Sequence, residues 1–132
     1  MATLQHPTLI RNLIADTVVD QVDAGGAAGK LIFYESNGGT ALATLTFTYP
    51  GAFGAAGTNQ NGRADADTIT ANTDTLANTV TWFEVVDSNG NTIFEGDVTS
   101  DDVGTGSIQL SSTTLGTGDT VSVSSLTYTA PN

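Results

Sequence analysis

The sequence predicts a mainly β protein, an antiparallel β-sandwich or barrel-like domain of about seven short strands preceded by one N-terminal amphipathic α-helix. The composition favours strands joined by tight turns, with 23 threonines and 15 glycines among 132 residues. Apolar residues recur every three or four positions near the N-terminus and every second position in later segments. No linker or internal repeat divides the chain, so we expect a single domain over residues 1–132, with the helix at 7–23 and the sandwich at 30–129.

The N-terminal helix is predicted by an apolar stripe that follows Pro7, a residue suited to the first helical turn. The stripe consists of Leu9, Ile10, Leu13, Ile14, Val18, Val19 and Val22. Aspartates occupy its second half, where the helix dipole disfavours negative charge, so the helix needs tertiary or intersubunit packing to be stable. We expect Leu9, Leu13 and Ile14 either to pack in the protein's own core or to contact another subunit.

The strands are predicted from apolar runs bounded by turn residues. They lie within residues 30–35, 41–49, 68–71, 79–98, 108–110 and 120–128. The strongest signal is at 79–98, where two apolar runs flank Asn89-Gly90 and predict a β-hairpin. In the strand at 41–49, the odd-numbered residues are expected to face the core and the threonines to face solvent.

Three finer predictions complete the local structure. Residues 53–67, rich in Gly, Ala, Asn and Asp, are expected to form a long loop. The alternation slips between Ser124 and Ser125, which indicates a β-bulge. Trp82 is expected to belong to the core, since a buried tryptophan is common in sandwiches.

The charge balance excludes whole classes of function. The chain carries 14 acidic and three basic residues, a net charge of −11. It therefore lacks the basic surface that nucleic acids and anionic membranes require. The absence of cysteine excludes thiolate zinc sites and cysteine nucleophiles. No apolar run approaches the ~20 residues of a membrane span, and the N-terminus lacks the features of a secretory signal.

No constellation of residues predicts catalysis, so we expect a protein that is not an enzyme and holds no cofactor. The single histidine, His6, precedes the helix and is expected to be exposed. Pairs of carboxylates occur at Asp65 with Asp67 and at Asp101 with Asp102, but both pairs lie in loop-like sequence without sugar-binding aromatics.

A calcium loop is the remaining metal hypothesis. Asp87, Asn89 and Asn91 supply oxygens at alternate positions and Glu95 follows them. An EF-hand loop needs glycine at its sixth position and glutamate at its twelfth, whereas here they are fourth and ninth. The hairpin turn explains the same residues, so we expect no metal site, although Asp97, Asp101 and Asp102 could also donate oxygens.

The order of several segments resembles that of a group of small virion proteins of tailed bacteriophages. The segments are DAGGAAGKLIFY at 23–34, ATLTF at 43–47, PGAFG at 50–54, WFEVVDSNG at 82–90 and VSVSSL at 121–126. The resemblance covers the chain from about Thr8 onward. It implies a capsid decoration, or cement, protein on the outside of the major capsid shell, assembled in the host cytoplasm. This group carries no catalytic motif.

The resemblance implies the major capsid protein as partner and also self-association, with a trimer as one option. Leu9, Leu13 and Ile14 of the predicted helix would then contribute to the oligomer or capsid contact. Two other functions stay open: a tail, tail-tip or host-binding module of the virion, and a calcium-binding adhesin-like domain.

Overall fold

The fold is mainly β with one N-terminal helix, as predicted. The computed structural model describes residues 5–58, 61–73, 75–100, 108–110, 112–123 and 126–130. Helix α1 is Thr8–Asp20 and continues into a 3₁₀ turn, Gln21–Asp23. The strands are β1 Lys30–Tyr34, β2 Ala41–Phe47, β3 Arg63–Asp65, β4 Ile69–Thr70, β5 Asn78–Thr79, β6 Trp82–Val86, β7 Thr92–Ser100, β8 Ile108–Leu110, β9 Thr114–Leu115 and β10 Thr127–Thr129.

One six-stranded sheet, the main sheet, organises the molecule. Its strand order is β4-β2-β1-β6-β7-β8. The hairpin predicted around Asn89-Gly90 is confirmed, since β6 and β7 pair antiparallel on either side of that turn. Strand β8 instead pairs parallel to β7. The expectation of a wholly antiparallel sheet is wrong at this edge, because a strand's own residues do not encode the direction in which it pairs.

The core lies between the inner face of the main sheet and a second layer, which is built from the small sheets β3-β10 and β5-β9 and the segments beside them. The main sheet contributes alternate residues of β1, β2 and β6, and the second layer contributes Leu115, Val121 and Leu126. Phe94 on β7 joins the layers, because its ring centroid lies 6.3 Å from that of Phe83 and 5.1 Å from that of Tyr128 on β10. This two-layer packing is the sandwich that the sequence predicts.

Gly29 lies where the 3₁₀ turn meets the main sheet. A Cβ at this position would lie 2.5 Å from Val22 Cγ1 and 2.6 Å from the Val86 carbonyl oxygen. Only glycine therefore allows the chain to pass from the helix into β1 at this close distance.

Residues 53–67 are not the long loop that their composition predicts. They contain β3, which pairs with β10, and a bridge between Phe53 and Ala66. The short segment Arg63–Asp65 has no apolar alternation, so only its pairing with distant residues defines it as a strand. Among the described residues of the predicted strand at 120–128, Val121 forms a bridge and residues 127–128 begin β10. The predicted bulge at Ser124 and Ser125 lies outside the described residues.

The prediction that Trp82 is a core residue is wrong. Phe83 and Val85 are buried on the inner face of β6, so Trp82 and Glu84, which are only partly buried, lie on the opposite, outer face. Val86, which follows a register shift, is also buried. Burial of β2 also departs from strict alternation at its start: Ala41 is exposed, and the register shifts where β1 pairs with it, between Phe33 and Tyr34. In β6, the inner face is therefore set by Phe83 and Val85, although Trp82 is larger than either.

Candidate interaction surface

Helix α1 packs on the second layer of the sandwich, against β3 and β10. Its buried residues are Ala15 and Val19, and Val22 of the following 3₁₀ turn continues the same face. These positions are three or four residues apart, as one face of a helix requires. The inner face is narrow, because only small and medium-sized side chains contribute to it.

Polar side chains beside this apolar row fix the first part of the helix to the body. Asn12 Oδ1 accepts a hydrogen bond of 2.6 Å from the Gly62 backbone N–H. One turn further on, Asp16 Oδ1 accepts a hydrogen bond of 2.7 Å from the Ala56 N–H. Both bonds satisfy backbone donors of a segment that is distant in sequence, so they dock the helix against that segment.

The two ends of the helical segment are fixed in the same way. Arg11 Nη2 donates to the Ala130 carbonyl oxygen at 3.3 Å, which ties the first turn to the end of β10. Asp23 Oδ2 accepts hydrogen bonds from the N–H groups of Gly51 and Ala52, at 3.0 and 3.2 Å. The charged groups of the helix are thus used in part for docking, on the side that faces the protein.

Gly62 allows this close approach. Its φ is +72°, in the left-handed region, and a Cβ there would lie 3.0 Å from Arg11 Cζ. A side chain at this position would be strained and would press on the guanidinium group. The glycine therefore lets the backbone N–H reach Asn12, a contact that the sequence alone does not reveal.

The outer face of α1 carries an exposed apolar row. Leu9 is 77% exposed, Leu13 59% and Ile10 36%. We call these three residues the helix stripe; Leu13 lies four positions after Leu9 and three after Ile10, so both are its neighbours on the helix surface. Single exposed apolar residues are ordinary on protein surfaces, but a contiguous group of large ones is typical of an interaction site.

The three candidate contact residues therefore differ in their exposure to solvent. Leu9 and Leu13 do not belong to the protein's own core, and Ile14, at the edge of the stripe, is only partly exposed. Ile10 was not among the candidates, although its spacing of three residues from Leu13 places it on the same face. The helical periodicity identifies the apolar residues but not the side that faces solvent, because polar groups dock the other side.

The residues considered for chemistry have structural roles where they are described. Asp87 Oδ1 accepts hydrogen bonds of 2.9 Å from the N–H groups of Asn89 and Asn91, and its Oδ2 accepts one from Asn91 Nδ2 at 3.1 Å. The backbone hydrogen bond from Asn91 is the largest cause that lowers the pKa of Asp87 below its usual 3.8. The Asp87 oxygens, which suggested a calcium loop, thus accept hydrogen bonds within the hairpin turn. His6 is exposed.

The described residues contain neither a candidate metal-binding cluster nor a candidate membrane-spanning helix. Within the ranges given above, no three His, Cys, Asp or Glu side chains are grouped so that they could hold a metal ion. In the same part of the chain, no helix has the length and apolar character needed to cross a membrane. Asp101 and Asp102 lie outside the described residues.

Comparisons with protein families, with curated proteins and with solved structures find no match to this chain.

Proposed function

We propose that this protein is a non-enzymatic decoration protein that binds the outside of the major capsid protein shell of a tailed bacteriophage and stabilises the head. The proposal rests on the resemblance of its segments to small virion proteins and on the helix stripe. Many copies, each held by a weak contact, would reinforce a shell through avidity, so no single strong site is required.

The observation that carries the proposal is the direction in which α1 faces. An isolated surface helix usually turns its apolar face to the core and its charged face to solvent. Here Asn12 and Asp16 bond to the body while Leu9 and Leu13 are exposed. Covering a leucine side chain fully is worth about 1.5–3 kcal/mol, so a partner that covers the stripe would gain a few kcal/mol per copy.

The charge of the chain favours the capsid shell over a second copy as the occupant of the stripe. Each copy carries a net charge of −11, so two copies repel one another unless specific contacts overcome this. The positive residue of α1, Arg11, is turned to the body, where it bonds to the Ala130 carbonyl. We therefore expect the partner surface to combine an apolar groove with basic residues at its rim.

The test is reconstitution on heads of the phage that encodes this chain, prepared without the protein. Purified protein is mixed with these heads and sedimented, and the bound copies per head are counted over a range of protein concentrations. We expect saturable binding at a number that matches symmetry axes of the shell. Replacing Leu9 and Leu13 together by aspartate should weaken binding by at least about tenfold, since it removes the apolar contact and adds charge.

The control is Leu76→Asp, a single change of the same kind at a leucine that is 50% exposed and lies between β4 and β5, outside the helix. It should bind as the unaltered protein does. Equal loss in the control, or no binding to heads by the unaltered protein, would contradict the proposal. Binding to isolated tails instead of heads would favour the tail or host-recognition function. Sedimentation of the protein alone reports whether the stripe joins copies of this chain.

A further inference from the structure

The outer face of the main sheet carries a regular array of side chains across β1, β6 and β7. In one row, Trp82 lies directly between Tyr34 on β1 and Asp97 on β7. In the next row, Glu84 lies directly opposite Glu95 on β7. Directly opposed residues of antiparallel strands share a face, so these side chains are neighbours.

We call Tyr34, Trp82, Glu84 and Glu95 the aromatic–acidic patch. Its two glutamates face each other across the β6-β7 ladder, an arrangement that is destabilising for like charges. The hydroxyl of Thr92 donates to Glu84 Oε2 at 2.5 Å and so holds this carboxylate in place, while Glu95 is exposed. The ladder therefore positions two carboxylates whose repulsion a cation would relieve.

The protein itself supplies little positive charge here. Of its three basic residues, Arg11 bonds to the Ala130 carbonyl and Arg63 pairs with Asp65 at 2.9 Å. Lys30 lies on the same sheet face, one row beyond Glu84, but within the described residues no ion pair joins it to a carboxylate.

Tyr34 lies within the influence of both carboxylates. Burial is the largest cause that raises the pKa of Tyr34 above 10.0, followed by the hydrogen bond and charge of Glu84 and then the charge of Glu95. The two carboxylates therefore act together on a neighbouring group.

The tryptophan presents carbon surface to the solvent. Trp82 is partly exposed, yet its indole Nε1 is covered and has no hydrogen-bond partner among the described residues. A ligand that needs a hydrogen bond from the indole is therefore not favoured. A flat cation is favoured, because it can stack on the ring and needs no donor from it.

We propose that the aromatic–acidic patch binds an arginine side chain of a protein partner. The guanidinium group stacks on Trp82 and donates its N–H groups to Glu84 and Glu95. Arginine fits better than lysine, because its planar group can stack on an aromatic ring and bond to carboxylates at the same time. A neutral sugar would leave the opposed carboxylates uncompensated. The patch is separate from the helix stripe, so this inference does not depend on the proposed function.

The test uses Trp82 as its own reporter, since it is the single tryptophan of the chain. The full-length protein is titrated with a capped pentapeptide of glycine with arginine at its second and fourth positions. A second peptide replaces both arginines by citrulline, which keeps the shape and removes the charge. We expect a saturable change of tryptophan fluorescence with the arginine peptide, at least about tenfold weaker binding of the citrulline peptide, and weakening by added salt.

Two variants locate the site. The double variant Glu84→Gln, Glu95→Gln should bind the arginine peptide at least about fivefold more weakly, as the loss of two exposed ion pairs implies. The control, Asp20→Asn with Asp67→Asn, removes the same charge at exposed positions elsewhere and should stay within about twofold of the unaltered protein.

The single change Glu95→Gln decides the matter if the double variant is poorly folded, because Glu95 is exposed and should tolerate the change. It should weaken binding by about twofold to threefold. Equal responses to the two peptides, equal loss in the aspartate control, or no saturable response would overturn the proposal. Peptide binding at the patch does not involve Leu9 or Leu13, so either proposal can fail while the other holds.

Discussion

Because polar side chains dock α1 on the body, we expect one of them, Asn12, to contribute measurably to stability. Replacing Asn12 by alanine removes the acceptor for the N–H of Gly62, a buried residue. A buried donor left without a partner costs about 1–3 kcal/mol, and the better helix propensity of alanine returns about 0.6 kcal/mol. We therefore expect Asn12→Ala to lower the free energy of unfolding by about 0.4–2.4 kcal/mol.

Replacing Leu9, the most exposed large apolar residue of the helix, should lower the free energy of unfolding much less. Leu9 is 77% exposed, so roughly a quarter of its surface is covered in the free protein. Truncating it to alanine loses less than about 0.5 kcal/mol of burial, and alanine propensity offsets part of this. The polar residue of the helix is thus expected to matter more for folding than the leucine.

Urea unfolding followed by far-UV circular dichroism and by Trp82 fluorescence measures both effects, provided that the slope of the unfolding free energy against urea concentration is the same in each variant. In thermal unfolding, Asn12→Ala should lower Tm by roughly 2–10 °C and Leu9→Ala by less than about 2 °C. Asn12→Asp keeps an acceptor oxygen and should restore most of the loss. The reasoning is refuted if Leu9→Ala costs as much as Asn12→Ala, since the stripe would then be part of the core.

Three further predictions address the sheet and its turns. Gly29→Ala should destabilise the fold by about 1–3 kcal/mol in urea unfolding, whereas Gly54→Ala, where a Cβ meets only an atom 3.7 Å away, should change it by less than about 0.5 kcal/mol. Because hydrogen bonds lower the pKa of Asp87 in the folded state, its stabilising effect is present above the unfolded pKa of about 3.8 and is lost as pH falls through the folded pKa. Asp87→Asn should therefore flatten this part of a plot of Tm against pH. In an ultraviolet titration, Tyr34 should ionise above 10.0, and Glu84→Gln should lower that pKa without restoring 10.0, since burial is the largest cause.

For each of these three predictions, one outcome would contradict the reasoning. Equal destabilisation at Gly29 and Gly54 would mean that the close approach of the helix to the sheet is absent. An unchanged acid dependence in Asp87→Asn would mean that the turn does not hold the carboxylate ionised. A tyrosine titration unaffected by Glu84→Gln would place Tyr34 away from the patch.

Local sequence was sufficient for the helix and for the central hairpin. The helix boundaries follow from a period near 3.6 that begins after Pro7 and stops before Gly25-Gly26. The hairpin follows from two apolar runs around Asn89-Gly90, whose turn chemistry is local. Strands such as β3 and β9 were missed because two or three polar or mixed residues carry no periodic signal, and only a distant partner makes them strands.

The candidate surface shows the same division. The sequence identified Leu9 and Leu13, but allowed either a core or a contact role for them. The decision depended on hydrogen bonds from Asn12 and Asp16 to residues far away in the chain. Trp82 was assigned to the wrong face, since the phase of a strand is set by whichever neighbours meet the opposite layer.

The sequence by itself determined the class of the fold, the helix, the hairpin and the acidic charge, because these depend on composition and on contacts within a few residues. Only the tertiary structure decided which face of α1 is exposed, that β8 runs parallel to β7, and that two glutamates meet beside Trp82. Those features depend on which distant segments meet. Periodicity records that a side chain is apolar or polar, but not which partner it finds.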